Sequence, residues 1–369
     1  MKIDSLTIQN FKCFKAKKTF DFGRITILTG ANSSGKSSLM SAVLMAIQSE
    51  DFPNAISTNG SYVDLGDFID IVYNHDSSKS ISLDLSLNSY PNSLDVFTVW
   101  QEDKYDLLPK KYKSFFRRNG YIAQTADELS TCERYTKELI SQFRKNSNYL
   151  GAFRQSPDLD YKSRNKADFK IRPNGEGYAD QIVEWEKRGN GNIKTLVQMM
   201  KDMELIDSIE IKRLEGGKFK ILVRAFKNSL LTSLSNVGFG VSQFLPIMVA
   251  DLQLLDYSTL FLAEPEIHLH PSVQAKFGDY IVKQINETGK NYVIETHSEY
   301  FLNKIRLAIV KGELKKEDVK VYFLENNGDD TEVFDIDFKK NGAIKNAPKT
   351  FFETYSIDVM DIALNAFAE

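Results

Sequence analysis

Cysteine is almost missing from this 369-residue chain. Its two copies, Cys13 and Cys132, are too few for a disulfide framework or a thiolate metal cluster, so two reduced thiols in a cytoplasmic protein are expected. Histidine is scarce as well. Of the four, His268, His270 and His297 lie in two motif-like stretches of the C-terminal half, and only His75 lies elsewhere. An HNH nuclease, which needs several, is therefore not expected. No apolar run approaches the ~18 residues of a membrane span, and the opening MKIDSLTIQNFK has no apolar core of signal-peptide length. No membrane partner is expected. Net charge is −3, so no global positive field draws the chain towards nucleic acid. Internal repeats, low-complexity tracts and heptads long enough for a coiled-coil arm are also lacking.

What is present begins with a glycine-rich turn. The octet Gly30-Ala31-Asn32-Ser33-Ser34-Gly35-Lys36-Ser37 has the spacing of a Walker A loop. It follows the β-branched run Arg24–Thr29 and leads into Leu39, Met40, Val43, Leu44 and Ile47, an apolar stripe at helical spacing. Strand, turn and helix in that order aim backbone N–H groups and a helix N-terminus at a phosphate chain. The candidate contacts to ATP are Asn32, Ser33, Ser34, Gly35, Lys36, Ser37 and Ser38. Lys36 reaches the β/γ-phosphates, and the Ser37 hydroxyl ligates Mg²⁺.

Along the chain, strands are predicted at Ile3–Gln9 and Ile25–Leu28, with the basic, aromatic stretch Phe11–Phe20 between them. Further strands are predicted at Ser61–Tyr73 and Ile81–Leu87. Residues 91–207 read as a mainly helical insertion, with helices at Leu129–Phe143, Tyr178–Lys187 and Ile193–Leu205. It separates an N-terminal part (1–90) from a C-terminal part (208–369). After strands at Ile209–Leu214 and Phe219–Ala225, helices at Val241–Leu255, Pro271–Asn286 and Glu299–Val310 alternate with strands at Thr259–Ala263, Tyr292–Glu295 and Val319–Leu324. That alternation predicts an α/β fold with a largely parallel sheet core.

Three motifs punctuate the C-terminal part. Leu260–Pro271 is an apolar strand ending in Glu264 and Glu266, where a P-loop enzyme places acids for Mg²⁺ and for the attacking water; solvated strand-end acids are the plain alternative. Tyr292–Ser298 ends a second strand in Glu-Thr-His-Ser, from which His297 can donate to a γ-phosphate oxygen. Asn236–Gln243 is a Gly-rich turn opening an amphipathic helix, readable as an anion site or as an ordinary helix start.

Together these resemble the ABC-type ATPase heads of the RecF, SMC and OLD families. The resemblance is strongest to prokaryotic AAA-family predicted ATPases without a coiled-coil arm, such as the Septu PtuA-like anti-phage defence ATPases. It rests on Asn10-Phe11-Lys12, NGSYVDLG at 59–66, YLGAFR at 149–154, VGFGVSQFLPI at 237–247, AEPEIHLHP at 263–271 and ETHSEYFLNKIR at 295–306. It implies a P-loop NTPase of the ABC-ATPase head type, with a mixed β-sheet lobe and a parallel-sheet core, using ATP and Mg²⁺. It assigns Gly240, Ser242 and Gln243 to the signature motif, Glu264 as the catalytic glutamate, Ile267–His270 to the D-loop with His270 near nucleotide, and His297 as the switch histidine. Lys12 sits where related heads carry a phosphate-contacting base; a solvated lysine fits equally. Gln48 and Gln101 are both available as the Q-loop glutamine.

One departure stands out. Such families carry two acids before the proline, and here the first position is Ala263, which cannot hold metal. Slow hydrolysis, or a role dominated by ATP binding, follows. The implied assembly is a homodimer or higher even oligomer that controls a separate effector protein, a nuclease in an anti-phage complex. A RecF-like ATPase acting directly on DNA is the alternative. No effector is visible in the chain itself. The tail acids Asp335, Asp337, Glu353, Asp358 and Asp361 lack a Toprim pattern, and Asp207…Glu210-Ile211-Lys212 matches a nuclease triplet no better than an exposed strand. The patch Lys110–Arg118, basic and aromatic, suits nucleic acid, a solvated helix face or a protein surface.

Overall fold

A computed structural model describes residues 2–89, 92–103, 105, 109–163, 170–189 and 191–351. The tail acids Glu353, Asp358 and Asp361 lie outside the described residues. Apolar residues recurring along the N-terminal run make β1 (Lys2–Gln9), which buries Ile3, Leu6 and Ile8. It pairs antiparallel with β2 (Lys18–Asp21), which forms inside the basic, aromatic stretch. β3 (Ile25–Gly30) is buried at every position and leads through the glycine-rich loop into α1 (Lys36–Gln48). After the short helix α2 (Phe68–Ile71) come β4 (Ile81–Ser89), β5 (Asn92–Glu102), β6 (Pro109–Arg118) and β7 (Tyr121–Ile122). These strands make an antiparallel sheet in the order β2-β1-β4-β5-β6-β7.

Two predictions are corrected here. Residues 61–73 do not form a strand. The Asn59 side chain accepts from the amides of Leu65 and Gly66, and Asp67 and Asp70 form a capping box that starts α2. None of the described residues between 92 and 122 is helical either. Leu94, Val96, Thr98 and Trp100 alternate inward along β5, a period of two that extends the N-terminal sheet through nine paired positions with β4. The division at residue 90 therefore falls between two paired strands.

The predicted helices appear further on. α3 (Ala126–Lys145) starts at a Thr125/Glu128 capping box, and β8 (Ser147–Leu150) and β9 (Tyr161–Lys162) follow. α4 (Tyr178–Arg188) and α5 (Asn192–Asp202) precede β10 (Ser208–Leu214), β11 (Lys218–Arg224) and β12 (Leu231–Ser233). β11 pairs antiparallel with β10 along its whole length, and with β9 and β12 at its two ends, in a small sheet. Asp207 lies just before β10, which carries Glu210 and Lys212, and is tied to Lys201 at 3.2 Å. Alternation then runs through α6 (Phe239–Gln253), β13 (Thr259–Ala263), α7 (Pro271–Thr288), β14 (Asn291–Glu295) and α8 (Glu299–Lys311). β15 (Val319–Asn326), β16 (Thr331–Phe338) and β17 (Ile344–Lys345) end the described chain.

The central sheet has the order β17-β16-β15-β3-β14-β13-β8, parallel from β15 to β8. Its strands sort the core into two layers by alternation. Ile25, Ile27, Leu260, Leu262, Tyr292 and Ile294 face one layer with α6, α7 and α8. Leu28, Phe261, Ala263 and Val293 face the other, with α1, α3 and the N-terminal sheet. A buried polar knot fixes the first layer. Asp251 of α6 accepts from Tyr280 of α7, from Tyr292 of β14 at 2.9 Å and from Lys290 at 3.2 Å.

Candidate nucleotide site

The glycine-rich loop can take its shape only with glycines at its ends. Gly30 lies at φ +136°, and a Cβ there would sit 2.1 Å from the Leu324 carbonyl of β15. Gly35 lies at φ +106°, and a Cβ there would press on Cys13 Sγ at 2.8 Å. Between them Asn32 and Ser33 are exposed, and Ser33 is also left-handed (φ 60°). α1 starts at Gly35 with no side-chain cap and no acid in its first turn, so its leading N–H groups are open to an anion. Ser34 Oγ is buried without a hydrogen-bond partner. Lys36 is buried and curls its ammonium onto the carbonyls of Gly30 (3.1 Å) and Ala31 (2.8 Å). A cradle of this form, with an orphaned hydroxyl and a retractable cation, fits a polyphosphate chain. Ser38 follows on α1, half-buried.

Lys12 and Cys13 form a turn against this loop. Lys12 is left-handed (φ 48°) and its amide donates to Ile71 O at 2.7 Å. Thr331 ties the turn to the loop, its amide donating to Cys13 O and its hydroxyl to Ser34 O. Burial lowers the Lys12 ammonium, against the pull of Cys13 and Asp70.

The acids arrive from the ends of β14, beside β3, and of β13, one strand further out. β14 lies between β3 and β13, and its last residue, Glu295, is paired in register with Leu28 on one side and Ala263 on the other. Glu295 is only 3% exposed, and its Oε1 accepts from Ser37 Oγ at 2.7 Å. Burial pushes this carboxyl above its ordinary range. The Ser37 bond and the Lys36 charge oppose the rise, while Glu264 and Glu266 add to it. Glu264 takes a left-handed backbone (φ 46°), its amide bonding to Glu295 O. Its carboxylate stands 3.9 Å from His297 Nε2, both side chains partly exposed. Burial and then the Lys36 charge hold the His297 imidazole below its ordinary value, against the pull of Glu264. Glu266 turns inward and accepts from Thr296 Oγ1 (2.7 Å) and the His297 amide (2.5 Å). Burial holds its carboxyl above the ordinary range, a rise that those bonds oppose only in part. Arg154, buried, spans the same corner by donating to the carbonyls of Gly151, Ala263 and Glu264. The site thus gathers Lys36, Ser37, Glu264, Glu266, Glu295 and His297.

Other predicted residues lie apart. Gly240, Ser242 and Gln243 open α6, which packs on α4, α5 and β8, whereas α1 packs on α3, β3 and β14. Ser242 Oγ is turned back onto Phe239 O (3.1 Å), and a Cβ at Gly240 would lie 2.8 Å from the His268 carbonyl of the following loop. His270 caps α7, with Nδ1 against the hydroxyl (2.9 Å) and amide (3.3 Å) of Ser272. The Gln48 amide is spent on Ser57, Tyr62 and Val63, and Gln101 donates to Ser80 Oγ. Gln48 is thereby a loop anchor. Arg154 and Glu295 fall inside motifs quoted from the sequence but have no role assigned there. Only the pairing of strands distant in sequence reveals them.

Among the described residues no helix is long and apolar enough to cross a membrane. No curated protein matches the sequence. Among solved structures, the SMC head bound to the C-terminal winged-helix domain of ScpA matches with a TM-score of 0.56 and 14% identity, covering 92% of this chain and 99% of that one. The SMC head from Thermotoga maritima matches at 0.48 with 12% identity, covering 91% and 100%. The Pyrococcus furiosus SMC head with an extended coiled coil, bound to the C-terminal domain of ScpA, matches at 0.49 with 12% identity, covering 91% and 96%. The first of these shares the fold, that of an ABC-type P-loop ATPase head. Residues 25–303, from the P-loop strand to the helix after His297, match one family model, and the chain belongs to that family: the AAA domain described as putative AbiEii toxin, type IV toxin–antitoxin system.

Proposed function

We propose that the chain hydrolyses ATP as a Mg²⁺-dependent, ATP-switched dimer that controls a separate effector, a nuclease in a prokaryotic anti-phage complex of the Septu PtuA-like kind. The observation carrying this reading is the division of labour between elements. Lys36, Ser37, Glu264 and His297 meet around the loop before α1, whereas the Ser242 turn opens a helix packed on other elements. A nucleotide held by the first group needs the Ser242 turn of a second copy, and a twofold dimer completes two such sites at once. Bound ATP·Mg²⁺ supplies the phosphoryl group to be transferred. Lys36 then leaves the Gly30 and Ala31 carbonyls for phosphate oxygens. The Glu264 carboxylate, exposed beside His297, orients and deprotonates water. The uncharged His297 ring donates one hydrogen bond to the transferred group and tightens its geometry.

The direct DNA-acting alternative loses support at its basic patch. Lys110 pairs with Asp103 (2.8 Å), Lys111 with Glu133 (3.2 Å) and Arg117 with Asp95 (3.9 Å), while Arg118 lies over the Tyr135 ring. Charges already neutralised release fewer counterions from a phosphate backbone. Light scattering tests the reading. ATP should convert the protein to dimers or higher even multiples, and Glu264→Gln should bind ATP, stay closed and turn over orders of magnitude more slowly. Brisk turnover by a strict monomer, or ATPase stimulated by DNA in the absence of any partner, contradicts it.

A further inference from the structure

Ala263 leaves this strand end without the acid that would hold Mg²⁺. We propose that the acid has moved one strand over: Glu295 of β14, rather than any residue of β13, is the protein carboxylate that holds the Mg²⁺ of bound ATP. The inference rests on the ATPase reading above and names the residue that completes its metal site.

The sheet order supplies the first argument. β14 separates β13 from the P-loop strand β3, and Ala263 and Glu295 are paired Cα neighbours at the C-terminal ends of their strands. A carboxylate on residue 295 stands in the same layer as one on residue 263, and one strand closer to α1. Geometry supplies the second. Ser37, the hydroxyl that a P-loop offers to the metal, lies 2.7 Å from Glu295 Oε1. Adjacent ligands on an octahedral Mg²⁺, each at 2.0–2.1 Å, are about 2.9 Å apart. The two oxygens therefore already stand at the separation of neighbouring vertices. Both oxygens would be available to hold Mg²⁺ there, with the hydroxyl turning its proton away from the carboxylate.

Neither remaining acid is bonded to Ser37. Glu266 places Oε1 on Thr296 and the His297 amide and keeps Oε2 buried without a partner, and Glu264 faces His297 at the surface. Among the described residues no group of three or more His, Cys, Asp or Glu could hold a metal alone. A cation here must borrow phosphate oxygens, which is how Mg²⁺ is commonly held at nucleotide sites. Burial argues the same way. A carboxylate 3% exposed with a neutral hydroxyl as its hydrogen-bond partner makes a poor structural anchor and a good divalent ligand.

The test is calorimetric titration of the full chain with a non-hydrolysable ATP analogue, in Mg²⁺ and in excess chelator. Wild type should bind tighter in Mg²⁺. Glu295→Gln should match wild type in chelator yet lose tenfold or more of the metal-dependent gain, and Ala263→Asp in that background should restore most of it. Glu295→Cys adds a readout that a structural role does not move. It should bind weakly with Mg²⁺ and tightly with thiophilic Cd²⁺, while wild type shows no such preference. A full metal-dependent gain in Glu295→Gln, or a Glu295→Cys variant with wild-type metal preference, overturns the proposal. Absence of nucleotide binding by wild type instead overturns the ATPase reading on which it rests.

Discussion

At the scale of single residues, the loop of Lys36 and the acids facing it hold opposite charges at close quarters without any ligand. Lys36 is buried with its ammonium on two carbonyls, and burial lowers its basicity while Glu295, Glu264 and Glu266 oppose the shift. The cation is thus kept charged by the acids that would share the nucleotide with it. Removing it deletes a charge-assisted contact of ~1.5–3 kcal/mol. Lys36→Ala should therefore weaken ATP binding about tenfold or more by calorimetry. Unchanged affinity would remove this loop from the account. The second prediction at this scale concerns Ala263. If its missing acid were the sole defect of a slow enzyme, Ala263→Asp would accelerate turnover. With Glu295 paired directly across from it, the new carboxylate meets a like charge, which disfavours ionisation of one of the two. Turnover of Ala263→Asp should fall or stay level in wild-type background, and a several-fold rise in rate would count against Glu295 as the resident acid.

Elements differ in how much of them the sequence revealed, and the difference is physical. Helices α3, α4, α5, α7 and α8 each carry an apolar stripe of period near 3.6, bounded by readable stops such as Gly189, Gly289 and Gly312 in the left-handed region, whereas α6 is buried all round from 242 to 251. β13 and β14 read as short apolar runs ending in polar groups, and the site residues Glu264 and His297 were visible there. β5 and β6 were missed because the inward positions of β6 are mostly half-buried and its outward ones are basic, which mimics a solvated helix face. Glu295 was in plain sight in ETHS, but its nearness to Ser37 depends on the register of two strands some 260 residues apart, about which local pattern is silent. The Asp251 knot was equally invisible, and it carries a prediction of its own. It ties α6, α7 and β14 behind the site, so Asp251→Ala should cost ~3–5 kcal/mol in denaturant unfolding by stranding the buried Lys290 ammonium. Its tyrosines add a pH signature. Burial, with Asp251 beside them, raises Tyr280 and Tyr292 well above the ordinary 10.0. The stability they contribute is fully present below that value and is lost as pH climbs past it. Alkaline titration followed by tyrosinate absorbance should show both ionising only with unfolding.

At the scale of the whole molecule, the fold presents a P-loop with its acids in one place and a glycine-rich helix start in another, joined through one continuous sheet. α6 begins at Gly238 with no side-chain cap, beside the exposed Phe239, whose ring lies against His268. That N-terminus leaves its leading N–H groups without a side-chain cap, on a helix packed against elements other than α1. The central claim is that each ATP is worked on by two chains. Mixing two damaged chains tests it most directly. Lys36→Ala has a broken P-loop and an intact Ser242 turn; Ser242→Arg has the reverse, and each alone should be inactive. In an equal mixture, every mixed dimer contains one site with both lesions and one with neither, so ATP turnover should recover to about a quarter of the wild-type rate. A mixture as inactive as its components, with mixed dimers shown to be present, would contradict the composite site and with it the account of how this ATPase is switched.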